Sequence, residues 1–594
     1  MSLTPNALTV LQKRYFAPGE TWEQLCQRVA QKIAGDERDP DQRIRWGETY
    51  QRIMQDLDFL PNSPTLRNFG RNNGCGSACF VLPIDDTRRS IFKALADAVD
   101  VQAYGGGTGM SFSRLRPKGS RISTTGGTAS GPVSFMGIFD FTIGDIIKQG
   151  GTRHGANMGI LRVDHPDIEE FITAKTQEGV LKNFNLSVGV PDSFMEAVEA
   201  DADYNLTFGG KVFTTVPARS LWDKIIDGAW RNGEPGIVFL DTINRHNPLE
   251  PAGEIEATNP CGEQPLLPYS SCNLGSINLS RMTTGDWVDG NARIDWEKLR
   301  TIVQVSVRFL DSVISVNNFP IPEIADTASR TRQIGLGIMG FADLCIKLHI
   351  RYGAPESIDL VKEIMSFIYD TANDVSVKLG AEKGVAPVFE EFTLSVPPRR
   401  NGTLTTVAPT GTLSVIANCS SGCEPHFALN YTKECLDGEK LDMMPRVLRQ
   451  WYERKGAGPL PDFFVTTNDV SVDEHIRVQA AFQVSGVDSG VSKTINAPNE
   501  TTRKQVSESF FQAWKSGCKG ITFYRDGSRE VQALYTSDSS ATAPVDPARL
   551  KRGQLKSRPR ATTGPSLKMK TACGKLYVDP HFDRDSAVEV FIRT

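Results

Sequence analysis

Asn259-Pro260-Cys261-Gly262-Glu263 decides the reading of this chain. Eleven residues after its cysteine comes Cys272, inside Ser271-Cys272-Asn273-Leu274-Gly275-Ser276-Ile277-Asn278-Leu279. An amide, a thiol and a carboxylate stand two residues apart. On an extended or tightly looped backbone, residues i, i+2 and i+4 project to one side. A cysteine flanked on one face by an acid and a hydrogen-bonding amide suits radical or nucleophilic chemistry on a polar substrate. Five residues alone fit a surface loop equally well, so the context has to decide.

The context extends along most of the chain. It includes Ser63-Pro64-Thr65-Leu66, Ser77-Ala78-Cys79-Phe80-Val81-Leu82-Pro83 and Gly105-Gly106-Gly107-Thr108-Gly109. Further on stand Gly155-Ala156-Asn157-Met158-Gly159-Ile160-Leu161, Ala408-Pro409-Thr410-Gly411-Thr412 and Gly520-Ile521-Thr522-Phe523-Tyr524-Arg525-Asp526-Gly527. Together these resemble the catalytic subunits of ribonucleotide reductases, over roughly residues 50 to 530. Their order and spacing are similar to the adenosylcobalamin-dependent branch, class II. The resemblance implies a ten-stranded α/β barrel with residues 259–263 as a finger loop at its centre. It implies reduction of ribonucleotides to 2′-deoxyribonucleotides through a thiyl radical.

The bulk properties agree with a large globular enzyme. The chain has 594 residues, 39% hydrophobic and 23% charged, enough for a large core and more than one domain. A net charge of −4 argues against direct nucleic-acid binding, though a local basic pocket for nucleotide phosphates remains allowed. No run of 18 apolar residues occurs, so no membrane span is expected. The start lacks the apolar core of a signal peptide, and eleven cysteines then read as reduced cytoplasmic thiols. No CxxC or HExxH occurs, and the seven histidines show no ligand spacing, so no metal site is expected.

Residues 1–60 read as an N-terminal helical segment, with apolar positions three and four apart from Trp22 to Ala34. Residues 61–535 alternate strand-like runs, such as Leu186–Val190 and Leu404–Val407, with helical ones such as Leu299–Leu310. That alternation is α/β; pattern alone does not separate an open sheet from a barrel. Residues 536–567 lose large apolar side chains and read as a flexible linker. Residues 568–594 carry two strand-like runs, a hairpin of marginal stability on its own. This resembles the opening of the small C-terminal domain of class II chains, completed in cis or by a separate C-terminal polypeptide.

The resemblance also assigns roles. Cys261 would carry the thiyl radical, Glu263 would act as base on the 3′-hydroxyl, and Asn259 would orient the substrate hydroxyls. Cys79 and Cys272, 193 residues apart, match the redox pair that supplies two electrons; Cys75 is a nearby competitor. Ala408, Pro409, Thr410, Gly411 and Thr412 match the phosphate loop, and Ser63 and Thr65 a second substrate contact. Gly335-Leu336-Gly337-Ile338-Met339-Gly340 is a GxGxxG preceded by a polar run, so close packing suits it better than a dinucleotide. Loops 124–131 and 150–157, with Gly150, Gly151, Arg153 and His154, fall where an allosteric deoxynucleotide or ATP effector acts.

Adenosylcobalamin is the implied radical source. Class I subunits pass the radical through two adjacent tyrosines, where this chain has Phe523-Tyr524. The DxHxxG motif for histidine-ligated cobalamin is absent. A thioredoxin-type reductant is the implied electron donor. Two alternatives stand beside this reading: a class I-like subunit needing a radical-generating partner, and a catalytically inactive nucleotide-binding regulator. The choice of diphosphate or triphosphate and the oligomeric state, a homodimer among the options, stay open.

Overall fold

A computed structural model describes residues 3–71, 74–146, 155–176, 179–434, 440–528, 534–536, 567–571, 574–583 and 586–593. The N-terminal part is helical: α1 (Pro5–Arg14), α2 (Trp22–Ala34) and α3 (Pro40–Gln55). Local chemistry sets their starts. Thr4 and Asp39 cap α1 and α3 ahead of a proline in the first turn. Thr21 and Gln24 form a reciprocal capping box on α2. Leu25, Cys26, Val29, Ala30 and Ile33 of α2 are fully buried, the apolar stripe that its spacing requires. A short helix, α4 (Ser63–Asn68), leads from this part into the barrel.

Ten strands belong to the main sheet: β1 (Phe59–Pro61), β2 (Cys79–Val81), β3 (Gly107–Ser111), β4 (Asn157–Arg162), β5 (Phe184–Val190), β6 (Gly236–Phe239), β7 (Ser271–Asn278), β8 (Ile334–Met339), β9 (Thr494–Ala497) and β10 (Gly520–Arg525). β2 to β6 run parallel in chain order. β7 and β8 are parallel to each other, as are β9 and β10. Residues 403–407 close the gap between β8 and β9. Leu336 pairs with Thr405, and Val407 with Val491, both in parallel sense. The ring is thus two parallel halves of five members each. They meet in antiparallel seams at β2–β7 and at β6–β10. β1 lies beyond β2 along the same edge of β7.

Each half carries its own outer core. One packs the long helices Trp296–Val316 and Pro355–Lys383 and the N-terminal helices on β7 and β8. The other packs residues such as Phe112, Phe139, Trp222 and Phe510 on β2 to β6 and β10. A third cluster, with Cys79, Met158, Ile160, Val238, Cys272 and Leu274, lines the inside of the ring. Alternation along the strands separates these faces: Cys79 and Val81 turn inward while Phe80 turns outward.

The barrel is filled by the finger. A Cβ built on Gly109 of β3 would lie 1.7 Å from the carbonyl oxygen of Thr258, so only glycine lets finger and strand approach this closely. Gly337 of β8 does the same for the neighbouring 403–407 segment, since its Cβ would come 2.3 Å from the Thr406 carbonyl.

Residues 535–594 form a separate compact unit. It contains three antiparallel strands, Leu567–Thr571, Gly574–Asp583 and Ser586–Arg593. The first of these, with lysines at alternate positions, has no strand-like run in the sequence reading. Among the described residues no helix is long and apolar enough to cross a membrane.

Replacing Gly109 by alanine should displace the finger. We expect a loss of stability at the upper end of the roughly 1–3 kcal/mol typical of overpacking, with loss of the chain's activity. Thermal unfolding and an activity assay on the Gly109→Ala protein check this together.

Candidate active site

The finger is a two-residue ladder, Ala257–Thr258 against Pro265–Leu266, with residues 259–264 as its tip. The tip is tied to itself. Asn259 N–H donates to the Gln264 carbonyl (3.1 Å), Gln264 N–H donates to Asn259 Oδ1 (3.0 Å), and Gly262 N–H donates to the Asn259 carbonyl (3.0 Å). Gly262 takes φ +81°, and a Cβ there would meet nothing within 4 Å, so the tip faces open space.

The tip is also pinned to both halves of the barrel. Asn185 Nδ2 of β5 donates to the Pro260 carbonyl (2.8 Å). From the other half, Thr406 Oγ1 (2.9 Å) and Gly490 N–H (2.8 Å) donate to the Glu263 carbonyl. Asn259 and Glu263 are buried, while Cys261 between them is exposed. Cys261 lies where two cavities meet. One, of about 340 Å³, is also lined by Ser63, Cys79, Glu263 and residues 408–413. The other, of about 270 Å³, is lined by Ser187, Lys493, Lys519 and Thr522 among others.

Four of the five central candidates are gathered on one side. Asn259 Nδ2 donates to Cys79 Sγ (3.1 Å), and the Cys79 thiol points at Glu263 Oε1 in a long contact of 3.9 Å. Cys79 stands directly opposite Cys272 in the β2–β7 seam. Opposed residues of an antiparallel pair have Cα atoms about 4.5–5.5 Å apart. That falls inside the roughly 4.4–6.8 Å that a disulfide spans. Burial pushes the Cys272 thiol well above its ordinary range, so it stays protonated at neutral pH. Cys75 is elsewhere: it packs in the outer core, where burial raises it to about 11.

Ala408, Pro409, Thr410, Gly411 and Thr412 line the same cavity as Cys261. The turn is shaped by its own residues: Thr410 takes φ +52° and its Oγ1 accepts from Gly422 N–H (2.7 Å). Gly411 is open, with nothing within 4 Å of a built Cβ. Ser63 lies across the cavity. Thr65 does not line it. Thr65 is buried, and its hydroxyl donates to the Gly76 carbonyl (2.9 Å), which ties down the turn after α4. Asn259 likewise spends both ends of its amide within the protein. Gly150, Gly151, Arg153 and His154 lie outside the described residues. Among the described residues no group of three His, Cys, Asp or Glu side chains could hold a metal ion.

One lining residue has no motif to announce it. Tyr15, at the end of α1, is buried and shares a hydrogen bond of 2.6 Å with Ser63 Oγ. Arg71 donates to the Tyr15 carbonyl (2.5 Å) and pairs with Glu20 (3.0 Å), which fixes this corner. The apolar stripe of α1 predicts burial for its end, but only the fold brings the phenol to Ser63.

The comparisons with known proteins agree with this geometry. The family model for the ribonucleotide reductase barrel domain matches residues 77–397 and 394–524, and that for the ribonucleotide reductase all-alpha domain matches residues 1–74. The chain belongs to the ribonucleotide reductase family. It is 46% identical to a vitamin B12-dependent ribonucleoside-diphosphate reductase of Thermoplasma acidophilum, over 84% of this chain and 67% of that protein. It is 43% identical to a protein of the same description from Mycobacterium tuberculosis, over 92% of this chain and 82% of that one. The alpha subunit of an Actinobacillus ureae class Id ribonucleotide reductase shares the fold, with a TM-score of 0.73 at 22% identity. That match covers 88% of this chain and 97% of the other. The expected reductase barrel with its central finger and N-terminal helices is thus present.

Tyr15→Phe removes one hydroxyl and leaves the ring. We expect a stability loss of about 1 kcal/mol, the net worth of a single hydrogen bond. No loss in a denaturant titration would show that the phenol does not hold Ser63.

Proposed function

We propose that this chain reduces ribonucleotides to 2′-deoxyribonucleotides with adenosylcobalamin as radical source. Ribonucleoside diphosphates are the proposed substrates, as in the names of the Thermoplasma and Mycobacterium relatives. The observation that carries the reading is the exposed thiol of Cys261 on a pinned finger, beside buried Glu263 and the opposed Cys79 and Cys272.

The 2′-hydroxyl is a poor leaving group, and a radical at C3′ activates the neighbouring carbon. Cys261, as thiyl, would take the 3′ hydrogen atom and return it at the end. Glu263 would accept the 3′-hydroxyl proton, which requires hydrogen-bond reach above all. Its anchored backbone keeps that carboxylate in place. The 2′-oxygen leaves as water. Cys79 and Cys272 supply two electrons and two protons and close into a disulfide. One ribonucleotide and two thiols thus give one deoxyribonucleotide, one water and one disulfide. The N–H of Asn259 would steady Cys79 sulfur as it changes bonding. Residues 408–412 would bind the phosphates through backbone N–H groups. An effector nucleotide and a dithiol reductant of the thioredoxin type complete the proposed cycle.

Adenosylcobalamin, when bound, supplies a carbon-centred radical able to convert a thiol to a thiyl. The residues present suit it. The uncharged, glycine-rich wall of Tyr104, Gly105, Gly107 and Ala156 would hold it. A relay of two phenols has no counterpart at Phe523-Tyr524. Phe523 turns into the outer core, 6.2 Å from the Phe510 ring between centroids, and its neighbour on the strand faces the other way.

The test is turnover of ribonucleoside diphosphates with dithiothreitol, with and without adenosylcobalamin. Activity should require the cofactor and no second polypeptide. Cys261→Ala should abolish turnover and leave nucleotide binding intact. Sustained turnover by that variant, or none by the native chain with cofactor, would contradict the reading.

A further inference from the structure

The residue before Ser63 carries a donor that the protein leaves unused. Asn62 is 5% exposed and lines the cavity of Cys261, Ser63 and the phosphate loop. It caps α4: its Oδ1 accepts from Thr65 N–H (3.0 Å). A backbone N–H can only donate, so the amide atom facing Thr65 has to be the oxygen. That fixes the rotation of the whole amide and turns Nδ2 away from the helix. Asn62 Nδ2 is buried and has no hydrogen-bond partner. Its backbone is anchored too: Asn62 N–H donates to the Leu274 carbonyl of β7 (2.8 Å), and the Asn62 carbonyl accepts from Leu66 N–H (3.2 Å).

A buried amide donor without a partner is rare, and it is costly unless a ligand supplies the acceptor. Helix capping alone does not call for asparagine here. Aspartate caps equally well and carries no donor at all, and serine keeps only an O–H on the capping atom itself.

We propose that Asn62 is a substrate-binding residue, donating through Nδ2 to an oxygen of the ribose-phosphate part of the nucleotide, next to the one that Ser63 meets. This rests on the reading of the cleft as the ribonucleotide site. Asn62 then couples two tasks. The cap holds α4, and with it Ser63, while the free end of the same amide reports on the substrate. An acidic residue at this position would cap as well but would present oxygen to an anionic ligand, which gives asparagine a reason beyond structure.

The experiment measures binding and turnover of a ribonucleoside diphosphate for four single variants of the whole chain: Asn62→Asp, Asn62→Ser, Ser63→Ala and Thr410→Val. Thermal unfolding of each monitors the cap. Asn62→Asp and Asn62→Ser should unfold within a few degrees of the native chain. Both should weaken nucleotide binding about tenfold, Asp more than Ser, as expected for losing one donor to a charged group and, for Asp, adding repulsion. KM should rise more than kcat falls. If Ser63→Ala and Thr410→Val weaken binding while both Asn62 variants bind as the native chain does, the Asn62 proposal is overturned and the cleft assignment stands. If none of the four alters binding, the cleft assignment itself fails.

Discussion

Everything at this site depends on a protein loop filling the inside of a ring of strands. The finger can enter only because β3 offers glycine at position 109, where any side chain would overlap the Thr258 carbonyl. Once inside, the carbonyls of buried Pro260 and Glu263 must find donors on the walls. They do so on both halves of the barrel: Asn185 on one, Thr406 and Gly490 on the other. The finger is therefore a strut between the two parallel halves as well as the carrier of Cys261. Chemistry that needs a reactive thiol held in one place has its support in that double attachment.

The second constraint is the antiparallel seam. Within a parallel half, Cys79 could not meet a residue of β7 face to face. Because the halves run in opposite directions, β2 and β7 pair in antiparallel register and Cys79 faces Cys272 across 193 residues of sequence. The finger then touches this seam through Asn259 and Glu263, both directed at Cys79. The sulfur chemistry proposed for the seam and the hydrogen-atom chemistry proposed for the tip would thereby be joined by two side chains of one short loop. Closing a disulfide at Cys79 would alter the partner of the Asn259 amide, so the redox state of the pair is felt at the tip.

Much of this was legible before the fold. The apolar stripe of α2 and the helix around Leu299–Leu310 follow from local chemistry, and the structure has helices there. The glycines at 335, 337 and 340 read as packing, and Gly337 does lie against the Thr406 backbone. The closure of the ring was not legible. Residues 404–407 look like a strand, yet they ladder only at alternate residues, and their partners at Leu336 and Val491 come from distant sequence. Hydroxyl residues in a motif also look alike. Ser63 and Thr65 sit two apart, but α4 turns Ser63 to the cavity and Thr65 into the backbone of Gly76. Tyr15 and Asn62 escape motif reading for the same reason: their meaning lies in which atom is left over once local hydrogen bonds are made.

The most direct test of this account is a single turnover without external reductant. Native chain, ribonucleoside diphosphate and adenosylcobalamin are mixed, the remaining thiols are alkylated, and the disulfides are mapped by mass spectrometry. Cys79 joined to Cys272, in amounts equal to the deoxynucleotide formed, is the predicted result. Product formed with Cys272 still free, or with Cys75 joined to Cys79, would contradict the claim that the antiparallel seam supplies the electrons.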